Sequence, residues 1–407
     1  MTATLGARCA ADGEFRLAAR HWTGGFRFAM GGDEVGVRLV DGSAEDGDPG
    51  GGAGVVLLGG PREVWEKLLS GSPPRLATDI AAAFALGLRW DGDPLTYWQY
   101  YPALQRAVEL LRPARPDAVP VEAHARFDAP VGRYLHVDLG GQDHRIYVEE
   151  TGRGIPLLLQ HTAGSHGVQW RHLFECAEIT DHFRLVAYDM PFHGKSLPPV
   201  GPRWWEGPYR LTAARARALP LAVAEALALD RPVFMGCSVG GLLALDLAAH
   251  HPGRFRAVIS LEGALKVDGN LDALVGFWHP QVSNETKARI MEGLMAPDAP
   301  AAYRKETSYA YAAGWPQSFA GDLHYYFDGF DLRDTPVDTG ETAVHILTGE
   351  YDHSAPIEAG RAAHEAIGGS TFTVMHGLGH FPMCEDPERF LGYLLPVLRS
   401  ISTEESR

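Results

Sequence analysis

The feature that most constrains the fold is a series of short, continuously apolar runs in the last two-thirds of the chain. IPLLLQH, FRLVAYDM, RPVFMGCS, FRAVISLEG, TAVHILTG and STFTVMH follow one another, mostly separated by stretches with helical spacing. A strand that is apolar along its whole length is buried on both faces. The pattern therefore predicts an α/β fold with a mostly parallel sheet and helices on each side.

Composition divides the chain into a small N-terminal part and a larger C-terminal part. Residues 1–115 contain short strand-like and helical segments, which predict a small α+β domain, and the proline-rich stretch 116–130 is predicted to be a linker. We expect the α/β core over residues 131–263 and 336–402. The segment between them is too long for a connection, so residues 264–335 are predicted to form a helical cap.

One segment places a serine between two glycines where a buried strand turns into a helix. It reads PVFMGCSVGGLLALDLAAHHP, over residues 232–252. A turn this tight requires neighbours without a Cβ, which Gly236 and Gly240 supply. We expect Ser238 to project its hydroxyl into a cleft, with the Val239 N–H at the positive end of the helix dipole. The segment predicts a nucleophile and one donor for an oxyanion.

A serine hydroxyl is a poor nucleophile without a base, so a carboxylate and a histidine should follow later in the chain. Asp352 lies in HILTGEYDHSAP, just past an apolar strand, and His380 lies in the glycine-containing loop VMHGLGHFPMCEDP past the next strand. Both loops are expected at the sheet edge that carries Ser238, which predicts a Ser-His-Asp triad. Glu262 is the alternative acid and His376 the alternative base.

Five motifs occur together in one order: HTAG (161–164), YDMPFHGKS (188–196), GCSVG (236–240), LTGEYD (347–352) and GLGHFP (377–382). With these motifs, residues 131–400 resemble an α/β-hydrolase of the esterase/lipase and meta-cleavage-product hydrolase type. The resemblance implies an α/β-hydrolase fold and a triad of Ser238, Asp352 and His380.

The same resemblance points to the second oxyanion donor. The family usually has His-Gly-x-Gly after the third strand, where this chain has His161, Thr162, Ala163 and Gly164. By this match, the Ala163 N–H joins that of Val239, although Thr162 carries a Cβ where the family has glycine. We expect His161 to order this loop.

The cap is rich in aromatic residues, which predicts an apolar, aromatic-accepting pocket over Ser238. His161, Trp278 and Trp315 are the residues predicted to line it. The predicted reaction is hydrolysis of a small hydrophobic ester through an acyl-enzyme. Two alternatives stay open: a hydrolase of a carbon-carbon bond in a ring-cleavage product, and a non-catalytic ligand-binding protein with this fold.

Charge and composition exclude several other classes of protein. The net charge of -15 and the lack of basic runs argue against nucleic acid or an anionic membrane as a partner. The four cysteines form no C-x-x-C pair, and no H-E-x-x-H or clustered ligand set occurs, so we expect neither a metal nor a cofactor. The sequence lacks the pattern of a signal peptide, which favours a cytoplasmic location.

The N-terminal part has a resemblance of its own. Residues Gly60–Gly71 and Leu88–Asp93 are similar to elements of a sterol-carrier-like domain. This resemblance implies a role in packing or in binding a hydrophobic ligand. Covering the pocket and forming a homodimer are the alternatives.

Overall fold

The computed structural model describes residues 3–114, 127–269, 271, 278–335 and 337–404. They belong to two compact units, of which the first comprises Met1–Ala118 and Leu274–Asp298 and the second comprises Val119–Ala273 and Ala299–Arg407. Each unit contains one β-sheet. No helix in the described ranges is both long and apolar enough to span a membrane.

The first unit is built on a five-stranded sheet with the order β3-β2-β1-β4-β5. Its strands are β1 (Gly24–Met30), β2 (Asp33–Val40), β3 (Ser43–Asp46), β4 (Val55–Gly60) and β5 (Arg89–Gly92). Strands β1 and β4 are parallel, whereas the other neighbours are antiparallel. Its helices are α1 (Leu5–Ala11), α2 (Gly13–Ala18), α3 (Arg62–Leu68), α4 (Ile80–Ala83), α5 (Pro94–Leu111) and, from the second segment, α10 (Asn284–Glu292).

Aromatic side chains fill the core of the first unit. Phe26 and Phe28 alternate along β1 and are fully buried, with ring centroids 4.8 Å apart. The buried indoles of Trp22 and Trp65 donate their N–H groups to the carbonyl oxygens of Gly54 and Ala29, at 2.8 and 2.9 Å. The α+β architecture predicted for this part of the chain is confirmed, because strands and helices form where the periodicity placed most of them.

Helix α10 corrects the predicted cap boundary. Residues 264–335 were expected to form one cap, but residues 274–298 group with the first unit. The reason is a buried charge: the Arg289 guanidinium, 6% exposed, forms ion pairs with Glu14, Glu109 and Glu292. A buried cation requires such partners, and two of these carboxylates come from the N-terminal part of the chain.

The second unit is built on an eight-stranded sheet with the order β13-β12-β11-β10-β8-β9-β7-β6. Its strands are β6 (Val131–Asp138), β7 (Asp143–Gly152), β8 (Ile155–Gln160), β9 (Phe183–Tyr188), β10 (Val233–Cys237), β11 (Ala257–Leu261), β12 (Ala343–Gly349) and β13 (Thr371–Met375). The six strands from β8 to β13 run parallel, and the hairpin β6–β7 pairs antiparallel with them through β9.

Helices connect the strands of the second unit. They are α6 (Arg171–Phe174), α7 (Ala177–Thr180), α8 (Ala213–Ala226), α9 (Val239–His250), α11 (Ala301–Ala313), α12 (Pro316–Leu323), α13 (Ile357–Ala366), α14 (Pro382–Glu385) and α15 (Pro387–Glu404). A π-helical turn, His324–Gly329, follows α12. Each apolar run singled out in the sequence forms a strand, and the mostly parallel sheet is confirmed. The predicted linker, 116–130, lies largely outside the described residues.

Candidate active site

The predicted strand-turn-helix forms around Ser238. Strand β10 is buried at every residue and helix α9 begins at Val239. Ser238 between them has φ 58° and ψ -113°, a strained conformation for a residue with a side chain. The Ser238 N–H donates to the Leu261 carbonyl oxygen at 2.9 Å, which ties the turn to the neighbouring strand. Backbone strain that the surrounding hydrogen bonds hold in place is common at functional sites.

Both glycines of the pentapeptide are required by close backbone contacts. A Cβ on Gly236 would lie 2.3 Å from the carbonyl oxygen of Gly240. A Cβ on Gly240 would lie 2.8 Å from the Gln160 side chain and 2.9 Å from its carbonyl oxygen. The sequence argument that the turn needs residues without a Cβ is therefore correct in its physical reason.

Asp352 and His380 lie together, as predicted. The Nδ1 of His380 is 2.8 Å from Oδ2 of Asp352, and the Asp352 carboxylate is fully buried. The two loops are joined by their main chains, since the Tyr351 N–H donates to the Leu378 carbonyl oxygen at 2.9 Å. Burial opposes ionisation of Asp352, but the charge and hydrogen bond of His380 outweigh it and lower the pKa of Asp352. The acid is therefore an anion that orients the imidazole.

A buried carboxylate fixes the loop that carries His380. The Glu385 side chain accepts hydrogen bonds from the main-chain N–H groups of Gly379 and Phe381, one on each side of the histidine. His376, the alternative base, lies elsewhere: its side chain is 73% exposed and its Nδ1 is 3.4 Å from Glu350. The geometry thus favours His380. The supporting role of Glu385 was missed, because nothing in the local sequence distinguishes it from a surface acid.

Glu262, the alternative acid, is buried beside Asp352. It follows β11 with φ 52°, is fully buried, and accepts the Gly349 N–H with both carboxyl oxygens at 2.9 Å. Its carboxyl group is hydrogen-bonded to Asp352. Burial and then the Asp352 charge raise the pKa of Glu262 well above its usual range. Glu262 supports Asp352 rather than replacing it.

The loop after β8 contains the predicted oxyanion donor. His161 is fully buried; its Nδ1–H donates to the Thr162 carbonyl oxygen at 2.8 Å and its Nε2 accepts the Met190 N–H at 3.0 Å. Both ring nitrogens are thus used by the main chain, so His161 orders the loop. Burial, and then the neighbouring His193, lower the pKa of His161 well below its usual range, which keeps the ring neutral.

The main-chain N–H groups of the two predicted oxyanion donors are buried and have no hydrogen-bond partner in the described residues. Ala163 and Val239 are 4% and 2% exposed, and neither main-chain N–H donates to another group in the described part of the chain. Buried N–H groups are rarely left unpaired in folded proteins. An oxyanion hole requires two such unpaired donors, so the prediction for Ala163 and Val239 is retained.

A tyrosine of the π-helical turn belongs to this site and was not singled out from the sequence. The Tyr326 hydroxyl is 2.9 Å from the Ser354 hydroxyl, next to the loop of Asp352. Burial and then the Asp352 charge raise the pKa of Tyr326, and hydrogen bonds to Ser354 and Ser238 only partly offset them. Tyr326 is therefore neutral and can donate a proton in a hydrogen bond. Only its place in a π-helical turn, a frequent feature of functional sites, could have identified it.

Two of the three predicted pocket residues, His161 and Trp315, belong to the second compact unit. Trp315 stacks on Phe192, with ring centroids 5.5 Å apart, and lines a cavity of about 520 Å³ whose lining does not include Ser238 or His380. Trp278 belongs to the first compact unit. Both ring nitrogens of His161 are hydrogen-bonded to the main chain, as described above. The described residues contain no group of three or more His, Cys, Asp and Glu side chains that could hold a metal ion.

Comparison with known proteins identifies what the second unit is similar to. Residues 155–300 match the family model described as the alpha/beta hydrolase fold. The 2-hydroxy-6-oxo-2,4-heptadienoate hydrolase of Pseudomonas putida is 26% identical over 275 residues, which cover 65% of this chain and 95% of that protein. The pimeloyl-(acyl-carrier protein) methyl ester esterase of Vibrio vulnificus is 25% identical over 264 residues, which cover 61% of this chain and 96% of that protein.

A solved structure agrees with the sequence relatives. A thermophilic esterase from Thermogutta terrifontis matches with a TM-score of 0.57 at 21% identity, covering 66% of this chain and 99% of that chain. At this identity the likeness shows the fold. The second unit has the α/β-hydrolase fold.

Proposed function

We propose that the protein is a serine hydrolase that cleaves a carboxylic ester through a covalent acyl-enzyme. The observation that carries this proposal is the buried pair of His380 and Asp352, 2.8 Å apart, in a fold whose tight turn presents Ser238. The unpaired N–H groups of Ala163 and Val239 support it. This chemistry uses no metal or cofactor.

In the first half of the reaction, Ser238 Oγ attacks the ester carbonyl carbon while His380 Nε2 takes the hydroxyl proton. The electron pair of the carbonyl double bond moves to oxygen, and the Ala163 and Val239 N–H groups bind that oxyanion. When the tetrahedral intermediate collapses, the bond to the alkoxide breaks and His380 returns the proton to the departing oxygen. The product alcohol leaves and the acyl group remains on Ser238.

Water completes the cycle by the same steps in reverse order. His380 Nε2 takes a proton from water, whose oxygen attacks the acyl carbon, and the proton then passes to Ser238 Oγ as the acid is released. Asp352 accepts the Nδ1–H of His380 throughout, so it holds the tautomer whose Nε2 can act as a base. The hydrogen bond between Ser238 and His380 is the contact that this mechanism requires in addition.

The apolar surroundings of the oxyanion loop favour a small hydrophobic substrate. Tyr311 and Phe319 are buried with ring centroids 6.4 Å apart, and Phe381 lies 5.5 Å from Tyr311 and 4.9 Å from the His380 ring. Aromatic walls of this kind bind an apolar acyl or alcohol group mainly by burying its surface. We therefore propose these residues, rather than Trp278 and Trp315, as the apolar lining of the substrate pocket.

A carbon-carbon bond hydrolase is the second candidate, and a specific observation favours it. The Pseudomonas putida relative, which matches over 95% of its length, is named as a dienoate hydrolase. A p-nitrophenyl ester and a 2-hydroxy-6-oxo-dienoate, assayed side by side, separate the two candidates. We expect faster hydrolysis of the ester; turnover of the dienoate alone would favour the second candidate.

Variants decide whether either activity depends on the proposed residues. Ser238→Ala should reduce hydrolysis to a small residual activity above the uncatalysed background. Asp352→Asn should reduce kcat by roughly a thousandfold to ten-thousandfold. His376→Ala is the matched control, because that imidazole is exposed and lies next to Glu350 rather than Asp352. Absence of hydrolysis and of any reaction with a fluorophosphonate in the wild-type protein would favour the non-catalytic alternative instead.

A further inference from the structure

The oxyanion loop, residues 161–164, is hydrogen-bonded to two helices of the insertion between β11 and β12. The Gly164 N–H donates to Oδ2 of Asp322 on α12 at 2.8 Å. The Thr162 hydroxyl is hydrogen-bonded to the Tyr311 hydroxyl on α11. The residue between these two contacts is Ala163, whose N–H is the proposed oxyanion donor. Ala163 is therefore held between hydrogen bonds to two anchors, Asp322 and Tyr311, which lie on helices and not on the sheet that carries Ser238.

Asp322 is itself firmly fixed. Its carboxylate is fully buried; Oδ2 lies 2.9 Å from Nε2 of His193, and Oδ1 accepts the Tyr209 hydroxyl at 3.1 Å. The other ring nitrogen of His193 donates to the Pro191 carbonyl oxygen at 2.8 Å, so both nitrogens carry hydrogens and the ring is an imidazolium. Burial opposes this charge, but Asp322 outweighs it and raises the pKa of His193. A buried ion pair with every oxygen occupied is a rigid acceptor for the Gly164 N–H.

Thr162 gains a partner that glycine could not have. Its hydroxyl donates to Oε1 of Gln169 at 3.0 Å, and its N–H donates to the same oxygen at 3.1 Å. The Tyr311 hydroxyl completes this cluster from α11. The β-carbon that distinguishes this loop from the usual His-Gly-x-Gly pattern thus carries a hydrogen-bonding group aimed at the insertion.

Close packing leaves the loop little freedom on the same side. Gly164 has φ 64°, and a Cβ there would lie 2.6 Å from the Phe319 side chain on α12. The carbonyl oxygen of Gly164 would also lie 2.8 Å from a Cβ placed on Gly314, just after α11. The loop therefore lies directly against both helices.

We propose that Asp322 and Tyr311 are positioning residues for the oxyanion hole. They make the orientation of the Ala163 N–H depend on whether helices α11 and α12 are packed against the oxyanion loop. This inference rests on the proposed function of the loop. When the two helices are packed against the loop, the Ala163 N–H is already oriented before the substrate carbonyl binds. When they move away, the loop loses both anchors and the developing oxyanion loses one donor. Such a device couples closure over the substrate to transition-state stabilisation.

The test compares three variants. Tyr311→Phe and Tyr325→Phe each delete one buried hydroxyl, but the Tyr325 hydroxyl donates to Asp246 on α9 and not to the oxyanion loop or Asp322, so Tyr325→Phe is the matched control. Asp322→Ala removes the stronger anchor. We expect kcat for a p-nitrophenyl ester to fall by about tenfold in Tyr311→Phe and by about a hundredfold in Asp322→Ala, with KM within about twofold of wild type. Tyr325→Phe should stay within about threefold of wild type in kcat.

A second readout does not depend on activity. Hydrogen exchange of a peptide covering residues 161–165 should accelerate by at least about tenfold in Asp322→Ala and measurably in Tyr311→Phe, but not in Tyr325→Phe. Unchanged exchange and kcat in both anchor variants would overturn the inference, while ester hydrolysis by the wild-type protein would still support the proposed function. A wild-type protein without hydrolase activity would overturn the proposed function, and the exchange result would then decide the structural role of the anchors separately. If Asp322→Ala does not fold, the pair of tyrosine variants decides alone.

Discussion

Glu262 and Asp352 are hydrogen-bonded to each other through their carboxyl groups, although they follow different strands, β11 and β12. Two buried carboxylates in contact cannot both be ionised at moderate cost, so one of them keeps a proton. The His380 contact lowers the pKa of Asp352, whereas burial and the Asp352 charge raise that of Glu262. Glu262 is therefore the proton donor in this bond, and Asp352 is the anion that faces His380.

This relationship predicts how stability depends on pH. Because folding raises the pKa of Glu262 above its ordinary value of 4.5, the folded protein retains a proton that the unfolded chain releases. The stabilisation is complete below pH 4.5 and is lost as pH rises toward the folded pKa. Glu262→Gln can donate the same hydrogen bond without titrating. We expect its stability relative to wild type to increase with pH, by at most about 1.4 kcal/mol per pH unit.

The measurement is urea unfolding of both proteins at several values between about pH 5 and 8, following the transition of the second unit. Glu262→Gln should also keep ester hydrolysis within about threefold of wild type, because the donor to Asp352 is retained. A stability difference that does not change with pH would show that Glu262 is already ionised in the folded protein.

Tyr326→Phe tests the tyrosine beside the loop of Asp352. Its hydroxyl is 2.9 Å from the Ser354 hydroxyl, so its loss removes one hydrogen-bond donor next to the proposed triad. We expect kcat/KM to fall by about threefold to tenfold, the effect of one lost hydrogen bond, with little change in thermal stability. Tyr309→Phe is the control, because Tyr309 is 74% exposed. Equal kinetics for the two variants would place Tyr326 outside the reaction.

Arg289→Met tests the assignment of α10 to the first unit. Removing the guanidinium leaves the carboxylates of Glu14, Glu109 and Glu292 without their shared cation in a largely buried site. We expect a loss of about 3–5 kcal/mol in the free energy of unfolding. Arg38→Met breaks an exposed ion pair with Glu45 and should cost less than about 1 kcal/mol. Similar losses in the two variants would contradict the packing of α10 described above.

Much of the second unit could be predicted from the sequence, because its signals are local. Continuous apolar runs identify strands that are buried on both faces, and the glycines around Ser238 reveal a turn that excludes a Cβ. Parallel strands bring their carboxyl ends to one edge, so the loops that follow β12 and β13 could be expected to bring Asp352 and His380 together.

The remaining features depend on contacts between distant residues, which periodicity does not encode. Helix α10 has ordinary helical spacing, and only the buried carboxylates of the N-terminal part explain why Arg289 lies among them. Asp322 looks like a surface acid in the sequence, and Glu262 was predicted only as the alternative to Asp352; the positions of both follow from His193 and Asp352 far along the chain. Trp278 and Trp315 were predicted from aromatic content alone, which gives no direction to a side chain.

The most direct test of the central claim is to identify which residue a fluorophosphonate modifies. Incubation of the wild-type protein with the probe, followed by proteolysis and mass spectrometry, should give one adduct on the peptide containing Ser238, and Ser238→Ala should give none. Asp352→Asn should be labelled at least about a hundredfold more slowly, because its histidine is no longer held in the basic tautomer. An adduct on another residue, or labelling of Ser238 at the same rate in Asp352→Asn, would contradict the account.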